Sequence, residues 1–224
     1  MIYLIASEKS WDKNLVESLN AETKVKWQLI ENKEDLTLDK LEKIKPQAIF
    51  FPHWSHIIPN EIHSKFNCIV FHMTDLPYGR GGSPLQNLIV RGHKSTKLSS
   101  LKVDKGLDTG DIYLKTDLSL EGSAQQIFER ANDLIKDQII TIVNENLQPI
   151  PQSGEPTVFS RRKPEEGNIE NLEKLEVVYD YIRMLDAEGY PNAFLETKNF
   201  KFEFTSAELN NNESITANVR ITKK

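Results

Sequence analysis

Apolar residues recur along this chain with two different periods, and the alternation between them lays out its elements. Ile2 to Ala6 is an unbroken apolar run, as a strand covered on both faces requires. Ser10 follows in a position to cap a helix, and Trp11, Leu15 and Leu19 recur at i, i+4 and i+8. The order then repeats. Val25 to Ile30 reads as a strand, Leu38, Leu41 and Ile44 share one helical face, and Ala48 to Phe51 is a strand after Pro46. Cys68 to His72 is one more such run. Apolar strands alternating with helices predict an α/β fold, a Rossmann-like parallel sheet with helices on both faces.

Further on, Ser83-Pro84 marks a helix start, with Ser83 as N-cap, Leu85, Leu88 and Ile89 facing inward, and Gly92 closing the helix. Lys97 to Asp104 and Ile112 to Leu118 read as strands joined by a Gly-bounded turn. Ser123 and Gln126 form a capping box for a long helix reaching about Val143. This completes a first domain over residues 1–148. A Pro-rich connector covers 149–165, and residues 166–224 form a small C-terminal α+β subdomain. It has one helix around Leu175 to Leu185 and β-like runs at Ala193 to Glu196, Phe200 to Thr205 and Ile215 to Ile221.

Composition narrows the function classes. The 224 residues are 38% hydrophobic and 27% charged, which suits a globular enzyme-sized core rather than a disordered chain. A net charge of -5 argues against general binding of a phosphate backbone, so no general nucleic-acid binding is expected. The single cysteine, Cys68, lies within an apolar run and reads as a small buried hydrophobe. The apolar start at Met1 lacks a basic leader and is too short to span a bilayer, so a cytoplasmic protein without membrane attachment is expected.

Candidate chemistry gathers in the stretch His72-Met-Thr-Asp-Leu-Pro-Tyr-Gly-Arg-Gly-Gly-Ser-Pro-Leu-Gln-Asn87. Ligands of open α/β sheets bind beyond the carboxyl ends of strands, where His72 falls. Asp108 stands in the turn between Gly106 and Gly110, where an acid either serves a ligand or stabilises the turn through local hydrogen bonds. Arg80, followed by Gly81-Gly82 and a helix start, suits an anion, although neither a Walker loop nor a dinucleotide fingerprint is present. His53 and His56 flank Trp54 and Ser55 without a nearby Cys or carboxylate set. They therefore read as a polar pocket wall, and no metal is expected. Arg161-Arg162-Lys163 reads as a solvated run, with a phosphate clamp as the alternative.

Taken together, these residues resemble the formyltransferases that use N10-formyltetrahydrofolate. That family carries Asn-x-His-Pro-Ser-Leu-Leu-Pro, an Arg-Gly loop, Pro-x-Gln on a helix, and Asp-x-Gly-x-Asp-Thr-Gly. The matching runs are Val70 to Pro77, Arg80-Gly81, Ser83 to Gln86, and Asp104 to Gly110. The resemblance covers most of residues 1–147 and implies His72 and Asp108 as catalytic residues, with N10-formyltetrahydrofolate as cosubstrate. The family's asparagine slot is Val70. Residues i and i+2 share a strand face, so Val70 and His72 point together while Asn67 points away. The resemblance also implies a folate site between Ser55, His56, Ile57 and Ile58 on one side and Val103, Asp104, Gly106 and Leu107 on the other.

For the acceptor, the His53 to Pro59 stretch, the Met73 to Gly82 run and Arg183 to Pro191 resemble sugar N-formyltransferases. These imply the amine of a nucleotide-linked amino sugar, met by Thr74, Asp75, Tyr78, Arg80, Gly81 and Gly82. The alternatives are a methionyl-tRNA formyltransferase, a purine-pathway enzyme and a non-catalytic folate-binding protein, the last consistent with Val70. Exposed β-like segments at the C-terminal end are compatible with a homodimer.

Overall fold

A computed structural model describes residues 1–9, 12–211 and 213–224. Ser10 and Trp11, expected to open the first helix, lie outside the described residues. The chain divides into two compact units that each draw on separate stretches.

The first unit comprises Met1–Arg80, Lys97–Asp117 and Ala131–Val158. It opens with β1 (Ile2–Ala6), α1 (Asp12–Glu22), β2 (Lys26–Ile30), α2 (Leu38–Ile44), β3 (Ile49–Phe51), the short α3 (Asn60–His63) and β4 (Cys68–His72). Later come β6 (Ser95–Lys102), β7 (Ile112–Ser119) and α5 (Ala124–Glu145). The sheet order is β2-β1-β3-β4-β6-β7. Strands β1 to β4 pair in parallel, but β6 runs antiparallel to β4, with Ile69 opposite Lys102 and His72 opposite Ser99. The sheet is thus parallel over four strands and turns antiparallel at its β6 side, because direction is set by a partner far away in sequence and not by the local apolar pattern.

Alternation along the parallel strands explains why both faces are dry. Ile5, Phe50 and Ile69 bury on one face with Leu15, Leu19, Ile135 and Ile139, whereas Leu4, Ile49, Phe51 and Cys68 bury on the other with Leu36, Leu41 and Ile62. Each fully buried Leu, Ile or Phe contributes about 1.5–3 kcal/mol. Cys68 is buried as expected, and burial pushes its thiol up to about 12. Helix α2 starts at Thr37, whose hydroxyl accepts from the Lys40 N–H, and ends at Lys45 in the left-handed region with φ 54°.

The second unit comprises Gly81–Thr96, Leu118–Arg130 and Phe159–Lys224. Within it lie α4 (Pro84–Val90), α6 (Leu175–Arg183), and an antiparallel sheet of β9 (Ala193–Glu196), β10 (Phe200–Asn210) and β11 (Ser214–Lys223) in the order β11-β10-β9. The capping box at the start of α5 is present: Ser123 N–H donates to Gln126 Oε1 at 3.0 Å, and Gln126 N–H donates to Ser123 Oγ at 3.3 Å.

Ser83 departs from its expected role. It sits in the left-handed region with φ 49° and makes no cap bond; its Oγ accepts from the Arg162 N–H at 3.0 Å. Buried polar side chains tie this unit together. Asn87 donates to the carbonyls of Gly82, Ser83 and Ser160, Gln86 to that of Met184, and Arg183 to those of Leu120 and Gly122 while pairing with Asp180 at 2.7 Å. Between β4 and α4 in the chain lies β5 (Arg80–Gly81), which pairs with β8 (Val158–Phe159), two strands of two residues each and too short to show a period.

Candidate active site

Strand β4 delivers His72 to its carboxyl end, where the chain turns through Thr74 to Gly79 and folds back beneath the imidazole. His72 is buried, and its Nε2–H donates to the Gly79 carbonyl at 2.8 Å. A carbonyl only accepts, so this bond fixes the Nε2–H tautomer and leaves Nδ1 to act. Two hydroxyls brace the same turn. Thr74 Oγ1 donates to the Gly79 carbonyl at 3.4 Å, and Ser99 Oγ donates to the Thr74 carbonyl at 2.7 Å from the neighbouring strand β6.

Asp108 stands opposite, with Oδ2 at 3.6 Å from His72 Nδ1. That separation exceeds a hydrogen bond, and in this tautomer Nδ1 faces the carboxylate as an acceptor, placed to take a proton from a reacting group or a water. Turn formation falls to a different acid. Asp104 Oδ1 accepts from the Gly106 N–H at 2.9 Å and from Thr109 Oγ1 at 2.6 Å, while the Asp108 carboxylate is presented to the imidazole. Asp108 adopts φ 54°, a left-handed conformation uncommon for a residue with a side chain.

The other expected contacts are distributed as follows. Asp75 is exposed and pairs with Lys115 at 2.6 Å, and the Tyr78 N–H donates to the Asp75 carbonyl at 3.1 Å. Thr74 is fully buried. Arg80 donates from Nε and Nη2 to Gln152 Oε1 at 3.2 and 2.8 Å. Gly81 and Gly82 meet close backbone: a Cβ would lie 2.4 Å from the Phe159 carbonyl oxygen at the first and 2.6 Å from Arg161 Cα at the second. On the two loops assigned to folate, Ser55 is exposed, Ile58 is buried, Val103 is half-buried, and Ile57 and Leu107 are 91% and 68% exposed. His56 Nε2 lies 2.8 Å from Glu8 Oε2. Burial lowers the His53 imidazole to about 4, an effect Lys9 reinforces.

Val70 packs against Leu76, Leu101 and Ile112. Asn67, by contrast, accepts a hydrogen bond from Tyr113 Oη at 3.1 Å, and with Tyr113 and Lys102 it lines a cavity of about 310 Å³ at the amino end of β4. Among the described residues no group of three or more His, Cys, Asp or Glu could hold a metal ion, and no helix is long and apolar enough to cross a membrane. Sequence reasoning missed Gly79, Ser99 and Gln152. The first two act through a carbonyl and a strand-embedded hydroxyl, and the third sits in a Pro-rich connector with no motif around it.

Comparison with known proteins gives the family and corrects the acceptor. The formyl transferase family model matches residues 6–143, and the model for the methionyl-tRNA formyltransferase C-terminal domain matches residues 164–222. A solved structure described as methionyl-tRNA formyltransferase from Clostridium thermocellum is 50% identical, with a TM-score of 0.97 over 100% of both chains. Methionyl-tRNA formyltransferase of Francisella philomiragia is 30% identical over 85% of this chain and 64% of its own length. The chain spans about half to two thirds of the length of such curated relatives. A sugar N-formyltransferase from Shewanella, at 19% identity and a TM-score of 0.67 over 88% of this chain and 93% of its own, shares the fold alone.

The expected nucleotide-sugar acceptor, and with it the expected lack of a nucleic-acid partner, is therefore overturned, because the nearer relatives carry the tRNA name. A net charge is an average over the whole surface and does not exclude a local nucleic-acid contact. With its matched α/β domain, its C-terminal module and a His-Asp pair at the end of β4, the chain belongs to the formyl transferase family.

Proposed function

We propose that this protein moves a formyl group from N10-formyltetrahydrofolate to the amine of methionyl-tRNA, acting in the cytoplasm. The observation that carries the reading is the His72–Asp108 pair, with one ring nitrogen tied to Gly79 and the other facing the carboxylate across 3.6 Å. When bound, the folate supplies an activated formyl group as an N10 amide. In the transfer, a bond forms between the acceptor nitrogen and the formyl carbon, the N10–carbon bond breaks, and the proton lost by the amine ends on N10.

His72 and Asp108 handle that proton and the charge that accompanies it. Neutral at Nδ1, the imidazole takes a proton; protonated there, it donates toward the developing oxyanion while Asp108 balances its charge. Val70 offers no donor in the asparagine slot, so His72 carries this stabilisation. The exposed Ile57 and Leu107 side chains, on the loops after β3 and β6, suit a flat ring system that needs apolar cover. Mass spectrometry of methionyl-tRNA after incubation with the protein and N10-formyltetrahydrofolate tests the proposal. Formylmethionyl-tRNA is the expected product. Folate binding without any transfer would overturn the reading in favour of a non-catalytic folate-binding protein, as Val70 allows.

A further inference from the structure

We infer that Gln152 is a positioning residue of the reaction centre, held by Arg80 and in turn holding the loop that presents Asp108; the inference rests on the formyl-transfer reading above. Gln152 Nε2 donates to the backbone carbonyls of Asp108 and Gly110, at 2.9 and 2.8 Å, while Oε1 receives both Arg80 donors. Guanidinium only donates and carbonyls only accept, so the amide has a single orientation that satisfies both sides. The side chain thus works as a spacer of fixed polarity between a cation and two carbonyls.

Two features show that the loop needs such a tie. Asp108 holds a left-handed backbone, which a non-glycine residue keeps only where its surroundings enforce it. Gly110 passes so close to β6 that a Cβ there would lie 1.7 Å from the Lys102 carbonyl oxygen, leaving the loop no slack on that side. Gln152 fastens the opposite side. Its own connector is fixed at both flanks: Ile150 exchanges hydrogen bonds of 2.9 and 2.8 Å with Ile112, and Thr157 accepts from the Arg80 N–H at 2.9 Å.

Consecutive residues therefore set both halves of the pair. The Gly79 carbonyl holds His72 Nε2, and the Arg80 side chain, through Gln152, holds Asp108. Arg80 accordingly acts through Gln152, and a direct grip on the acceptor's phosphates is the rival role that the test separates from it.

The test uses Gln152→Ala, Gln152→Glu and Arg80→Ala in the full chain, with steady-state kinetics and ¹⁵N NMR of the His72 imidazole in the substrate-free protein. Glu retains the pairing with Arg80 but sets an acceptor against both carbonyls, so it separates loop positioning from mere occupancy. The expected result is kcat lower by about 10- to 100-fold in all three, as misplacement of about 1 Å can produce, with both KM values within about threefold. Arg80→Lys, which still donates to the amide oxygen, should recover part of the loss, and the His72 ring signals should move in Gln152→Ala and Gln152→Glu. Unchanged ring signals in folded Gln152 variants, or a raised acceptor KM at constant kcat, would overturn the inference. Because the NMR arm needs no substrate, a wild-type protein that transfers no formyl group would count against the proposed function alone.

Discussion

The carboxyl end of β4 and the carboxyl ends of β1 and β3 belong to one sheet, yet they treat their polar groups differently. At β4, His72 is tied to the Gly79 carbonyl and faced by Asp108, and a second layer of Thr74, Ser99 and Gln152 fastens the backbone beneath them. At β1 and β3, burial dominates. It raises the fully buried Asp12 carboxyl to about 6, against partial opposition from Ser7 and Lys9, and it lowers His53 to about 4. The first region spends hydrogen bonds on geometry. The second tolerates titratable groups in poor solvent at the expense of stability.

The largest effect that would break this contrast lies in the pair itself. His72→Ala and Asp108→Ala should each lower formyl transfer by about 100- to 1000-fold, with melting temperatures little changed, as for loss of a donor aimed at developing charge. A variant of either residue with near wild-type turnover would remove the special status of the β4 end. Next comes Gly110→Ala, whose methyl meets the Lys102 carbonyl oxygen. Urea denaturation should show a loss of about 2–4 kcal/mol.

The β1 and β3 ends are sharpened by pH. Folded Asp12 binds its proton more tightly than the unfolded chain, whose ordinary carboxyl value is 3.8, so its contribution is present below that value and lost as pH rises through about 6. This amounts to at most about 3 kcal/mol. His53 runs the other way, its contribution being present above 6.5 and lost as pH falls through about 4. Between these limits the two slopes oppose each other. Asp12→Asn should therefore stabilise the fold by about 1–2 kcal/mol at pH 7 and by little at pH 4, the buried amide retaining part of the cost. His53→Gln should flatten the acid limb. Unfolding free energies for both variants across that range, with the same slope as wild type, would show that burial at these positions is not what sets the balance. The smallest effect is expected at Asp75, whose exposed pairing with Lys115 should be worth less than about 1 kcal/mol in Asp75→Asn.

Much of the first unit could be read from the chain. The alternation at Leu4-Ile5 and Ile49-Phe50 is a local property that survives folding, so the strands and the placement of His72 followed from it. What escaped depends on partners distant in sequence. The antiparallel course of β6 is fixed by the pairing of His72 with Ser99, and the cap expected of Ser83 yields to a backbone N–H 79 residues away. Asp108 was found through a motif, but its support by Gln152 spans 44 residues and leaves no local trace. The acceptor class was misread because it rested on a few short runs, whereas similarity over most or all of the chain is to proteins that carry the tRNA name.

The separation between Asp108 and Gln152 also bears on how the protein is made. Ribosomal synthesis delivers His72 and Asp108 well before the connector that reaches back to them, so a chain arrested short of Gln152 would carry both chemical groups and lack the tie beneath one of them. Competence for the reaction would then begin only when the connector has cleared the exit tunnel and closed over the loop.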